Sequence, residues 1–80
     1  MSHENKVIRS VEDPSGLHCV DIFRRPDGRF GFQHCRRDPE DGRGWAVLSA
    51  SGPEGFGAQA EAWAAAVAHV AWLRAVADEG

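Results

Sequence analysis

Two His-Cys dipeptides, His18-Cys19 and His34-Cys35, are where chemistry is first sought in this 80-residue chain. Two imidazoles and two thiols match a tetrahedral zinc set by composition. The spacing, however, contains no C-x-x-C knuckle, and in a strand each His projects to the face opposite its neighbouring Cys. Four ligands then do not converge, so the sequence predicts no metal site and no cofactor. Cys19 and Cys35 are expected to face each other across a hairpin, where geometry decides whether a disulfide forms. A reducing cytoplasm favours two free thiols.

The run RFGF (Arg29–Phe32) matches part of the aromatic motif with which one RNA-binding sheet stacks bases. Arg24, Arg25, Arg29, Arg36 and Arg37, with Arg43 nearby, would then contact nucleic acid. Against this, Asp27, Asp38, Glu40 and Asp41 dilute the positive charge, the net charge is -3, and the element order of that RNA-binding fold is absent. The loop SGPEGFG (Ser51–Gly57) precedes a helix and so offers backbone N–H groups to an anion. It lacks the G-K-[ST] ending of a phosphate loop, and Glu54 repels an anion. No Ser/His/Asp or Cys/His set has supporting context. The sequence therefore predicts no enzyme, with an arginine-rich nucleic-acid binder as the alternative function.

The elements that must position these residues follow from pattern. The chain has room for one domain, and its 42% hydrophobic content is that of a soluble globular protein. Residues 1–5 read as a flexible tail and 6–80 as a single domain. No apolar leader follows MSHENK, and the uncharged run Ala62–Leu73 falls short of the roughly 20 residues a membrane span needs. The expectation is a cytoplasmic, bacterial-type protein with no membrane contact. KVIRSV (Lys6–Val11) alternates like a short strand, and EDPSG is turn chemistry. Leu17–Arg25 and Arg29–Arg37 form a hairpin about Pro26-Asp27-Gly28, and Trp45–Ala50 returns as a further strand. The expected fold is α+β: an antiparallel meander of three to four strands with one long C-terminal helix packed on one face.

A three-residue loop at Pro26–Gly28 pairs Arg24 with Phe30, Ile22 with Phe32 and Val20 with His34. Val20, Ile22, Phe30 and Phe32 then share the core face. Cys19, Asp21, Phe23, Gly31, Gln33 and Cys35 share the other. Phe56 is expected to staple the helix start. On a continuous helix from Ala60 to Ala77, the residues Trp63, Ala66, Val67, Val70, Leu73 and Ala77 make one apolar stripe for the sheet. His69 reads as a packed or solvated residue on its flank.

That helix has more apolar surface than one stripe. Ala65, Ala68, Trp72, Ala75 and Val76 form a second seam, with Trp72 pointing away from the sheet. A contiguous exposed apolar seam marks an interface. The expected function is thus a non-catalytic interaction module, a homodimer or a docking unit for another protein. Two buried Trp side chains would give about 10 kcal/mol gross, against an association cost of about 4–15 kcal/mol.

From Val20 to Leu73 the chain resembles the small YegP-like family of uncharacterised bacterial proteins. The segments VDIFRRPDGRFGF and SGPEGF and the Ala-rich helix carry the likeness, with Ile22, Gly28, Phe30, Phe32, Gly55 and Phe56 at its hydrophobic and glycine positions. The family implies no reaction and no cofactor. It often carries the unit in tandem, and a single copy fits pairing between chains. GWAVLS (Gly44–Ser49) is more loosely similar to MbtH-like accessory proteins, whose Ser-Leu-Trp-Pro segment is missing.

Overall fold

The computed structural model describes residues 5–40, 42, 44–52 and 54–79, the last three as backbone only. Most of the expected tail (1–4), Asp41, Arg43, Pro53, Gly80 and the side chain of Ala77 lie outside the described residues. Strands β1 (Lys6–Glu12), β2 (His18–Arg24), β3 (Phe30–Arg37) and β4 (Trp45–Ala50) form one antiparallel sheet in the order β1-β2-β3-β4. Helices α1 (Gln59–His69) and α2 (Ala71–Glu79) follow. The molecule is an α+β meander with every strand beside its sequence neighbour.

The central hairpin has the register its loop dictates. Arg25 N–H donates to Arg29 O at 2.7 Å and Gly28 N–H to Arg25 O at 2.9 Å. Gly28 supplies the positive φ, 87°, that closes a three-residue loop. Asp27 Oδ1 accepts from Arg29 N–H at 2.9 Å, fixing the turn further. Val20 pairs with His34, Ile22 with Phe32 and Arg24 with Phe30. On the outer face Phe23 lies across from Gly31. A Cβ at Gly31 would sit 2.7 Å from the Phe23 ring and from Ser51 Oγ, so only glycine fits there. Both outer strands carry an irregularity: β1 between Val7 and Arg9, and β4 opposite the His34/Cys35 step.

The core is Val20, Ile22 and Phe32 of the sheet under Ala62, Ala66, Val70 and Leu73 of the helical layer. Ala62 and Ala66 are fully buried; with only a methyl group each, they let α1 approach the sheet closely. Phe56 reaches the helix start by a different route from a staple. It exchanges two backbone hydrogen bonds with Phe30, at 2.8 and 2.7 Å, and its ring stacks on Phe32 at 6.4 Å between centroids. Ala58, the first cap, provides no side-chain bond, so this bridge anchors the helix start.

The single long helix is corrected by the structure, which has two. Val70 is extended (φ -110°, ψ 105°), caps α1 through its N–H to Ala66 O, and accepts from Leu73 N–H at 3.1 Å to start α2. No Gly or Pro marks the break. Its reason is packing: an extended Val70 buries its own side chain and turns Leu73 inward, leaving them 3% and 0% exposed. The same change of direction brings Trp72 against the core. The inward line therefore runs Ala62, Ala66, Val70, Leu73, and Trp63 and Val67 flank it. Trp72 does not point away from the sheet.

Candidate functional site

The two His-Cys dipeptides are split by the pleat, as alternation requires. His18 and His34 lie on the helix side of the sheet, where their rings stack 5.3 Å apart and Nδ1 of His18 meets Nε2 of His34 at 3.2 Å. One neutral imidazole donates and the other accepts. The His34 ring also abuts the edge of Trp72, at 6.1 Å between centroids. His69, the last residue of α1, completes the group: it packs on Phe32 at 5.8 Å and bonds Ser49 Oγ at 3.1 Å. Burial pushes the His34 pKa below its ordinary value, and His18 and His69 push it the same way. The Trp72 indole N–H is buried beside this cluster with no hydrogen-bond partner.

Chemically this side is a packed imidazole cluster. Among the described residues no carboxylate bonds His69, so the Ser49–His69 contact lacks the third group that orients a base. Two concavities of the described residues lie away from it, one at Leu17, Arg37, Asp38 and Pro39 and one at Arg9, Gln59 and Trp63.

On the open face Cys19 and Cys35 stand directly opposite each other, both buried and both free thiols. Asp21 lies two residues along β2, with Oδ1 3.9 Å from Cys19 Sγ. Its other oxygen accepts from Gln33 Nε2 at 3.2 Å. Burial, with Asp21 and Cys35 adding to it, pushes the Cys19 thiol up to about 12. Cys35 is raised by burial and by Asp21. Both are neutral at physiological pH and are poor nucleophiles by themselves. The register already placed Asp21 with both cysteines, but a search built around histidine ligands passes over it.

The five arginines do not make one patch. Arg24, Arg25 and Arg29 sit at one end of the central hairpin and Arg36 and Arg37 at the other, along a strand of eight residues. Arg25 pairs with Asp27 at 3.6 Å. Arg29 donates to the carbonyls of Glu54 and Gly55 at 2.6 and 3.3 Å. Arg37 lies over the Trp45 ring at 5.0 Å. Phe30 and Phe32, the aromatic pair of RFGF, pack into the core.

The expected helix seam is likewise dispersed. Ala65 and Trp72 pack against the core, Ala68 and Ala75 are exposed and Val76 is half-buried. Exposed large apolar side chains occur instead on the outer strands: Trp45 39%, Val47 58% and Leu48 54% on β4, and Val7 50% on β1. Sequence pattern does not mark these as exposed, because a short apolar strand reads the same at an edge as in the middle of a sheet. No helix among the described residues is long and apolar enough to cross a membrane. Comparison with known proteins finds no matching family model, no matching curated protein and no matching solved structure.

Proposed function

We propose that this chain is a non-catalytic interaction module that self-associates, and that the contact is the free edge of β4 rather than the seam on the helices. One observation carries the reading: Trp45–Ala50 is a terminal strand with no charged residue, and three large apolar side chains on it face water. Such an edge is a template for another strand. A second copy is the occupant that fits, because two β4 strands meet antiparallel about a two-fold axis. Centred between Val47 and Leu48, that pairing sets Trp45 opposite Ala50 of the second copy, large against small, and Val47 opposite Leu48.

The magnitudes close. Each of Trp45, Val47 and Leu48 exposes roughly 100 Å², so burying them in both copies gives about 15 kcal/mol gross at 25 cal/mol/Å². Association costs about 4–15 kcal/mol, and main-chain hydrogen bonds along the edge add to the surplus. The contact needed, about 800 Å² per copy, is a modest part of the 5439 Å² surface. The tandem arrangement implied by the YegP-like resemblance agrees with two units working side by side. Sedimentation velocity over a concentration series is the test. A dimer that Leu48→Lys converts to a folded monomer is expected; a wild-type chain that stays monomeric at millimolar concentration would refute the reading.

A further inference from the structure

We propose that the open face of the sheet binds a thiophilic divalent cation, Zn2+ above all, through Cys19 Sγ, Cys35 Sγ and a carboxylate oxygen of Asp21. The three donor atoms lie within 4.8 Å of one another. They come from adjacent positions of one hairpin: Cys19 and Cys35 are a direct cross-strand pair, and Asp21 and Gln33 are the next pair on that face. A hairpin of fixed register is a rigid platform, so little ordering remains when the ion arrives.

Tetrahedral zinc, with Zn–S near 2.3 Å and Zn–O near 2.0 Å, holds its ligands about 3.5–3.8 Å apart. Cys19 Sγ and Asp21 Oδ1, at 3.9 Å, are already close to that spacing. Gln33 supplies what sites of this kind need outside the ligands. Its Nε2 holds Asp21 Oδ2 at 3.2 Å, which orients the carboxylate and leaves Oδ1 on the cysteine side. Among the described residues no helix covers this face, and the two thiols are buried among the side chains of the sheet itself. Two thiolates and a carboxylate without an ion would place like charges together away from water. A dication offsets that repulsion, and its binding releases both thiol protons to solvent as the two metal–sulfur bonds form. His18, His34 and His69 take no part, since they lie on the other side of the sheet.

The test uses the full-length reduced protein in its Leu48→Lys form, which separates metal binding from self-association. Titration with Co2+ reads thiolate ligation by its sulfur-to-metal absorption, and Zn2+ then displaces the cobalt. One equivalent is expected, with loss of the absorption in Cys35→Ser. Zn2+ affinity should fall about 10–100-fold in Gln33→Ala, the usual size for an outer partner, and at least as far in Asp21→Asn. Circular dichroism of Asp21→Asn, which keeps both thiols and the side chain's shape, guards against an effect of misfolding. A missing sulfur-to-cobalt band, a band that survives Cys35→Ser, or binding lost only in His18→Ala would overturn the site. So would a Cys19–Cys35 disulfide forming in preference to metal when the reduced protein meets Zn2+ in air.

Discussion

The two outer strands of the sheet differ in charge. β1 carries Lys6, Arg9 and Glu12 at intervals along its length, whereas β4 is WAVLSA with no charge. Both have a register irregularity, so the bulge, a common device for blunting an edge, does not distinguish them. Charge does. A strand that adds to β1 must desolvate an ammonium, a guanidinium and a carboxylate, and Arg9 is already engaged over the Trp63 ring at 3.7 Å. A strand that adds to β4 desolvates alanine, valine, leucine and tryptophan. Under the proposed self-association, that difference would make β1 an end and β4 a junction.

The largest effect tests whether the helical layer belongs to the fold or to the contact. Trp72 packs on the core and against His34, so Trp72→Ala should lower unfolding free energy by about 3 kcal/mol, the lower end for a large aromatic because the residue is half-buried. Urea unfolding at low protein concentration measures it. The dissociation constant of the dimer should hold steady. A variant as stable as wild type but unable to associate would return the contact to the helices and dissolve the distinction between the edges.

Next comes the β4 edge itself. Leu48→Lys places an ammonium at the centre of the pairing and should weaken self-association at least a hundredfold, about 2.8 kcal/mol. Its melting temperature should stay within a few degrees of wild type, because an exposed position contributes little to the monomer.

The hairpin end of this architecture was legible in the sequence, and the helical end was not. Pro26-Asp27-Gly28 admits few loop geometries, so the pairing from Val20 to His34 followed, and with it the separation of His18 and His34 from Cys19 and Cys35. β4 has the expected bounds, Trp45–Ala50, and β1 the expected start. The break at Val70 had no local signal. Alanines on either side favour continuing the helix, and only the sheet beneath makes an extended Val70 worthwhile by burying Val70, Leu73 and part of Trp72 together. The orientation of Trp72 depends on that break: a continuous helix would turn it outward into a seam, and the break turns it onto the core. Asp21 was placed on the correct face, yet a carboxylate on an open strand face is ordinary and nothing in its spacing singled it out.

Acid should tell the two sides of the sheet apart more gently. The imidazole cluster joins His18 of β2 to His34 of β3 and reaches Ser49 of β4 through His69, whereas β1 carries no histidine. His34 has a folded pKa below its ordinary 6.5, caused first by burial and then by His18 and His69, with Asp13 opposing. A lowered folded value means the unfolded chain binds the proton more readily. The stability this site contributes is therefore complete above 6.5 and is lost as pH falls through the folded value. Urea midpoints should decline from pH 7 toward pH 5 in wild type and decline less in His34→Gln. Amide exchange should quicken in β4 before β1.

The smallest effect is the one that isolates charge as the cause. Val7 on β1 is as exposed as Leu48 on β4, 50% against 54%. Exposed apolar area alone would make the two equivalent. If charged neighbours keep β1 from pairing, Val7→Lys adds a cation to an edge that was never used. Its association constant should match wild type within experimental error and its stability within about 0.5 kcal/mol. Sedimentation of the Val7→Lys and Leu48→Lys variants side by side reads the contrast directly. Equal weakening in both would mean that any exposed apolar strand residue supports the contact, and that Lys6, Arg9 and Glu12 protect nothing.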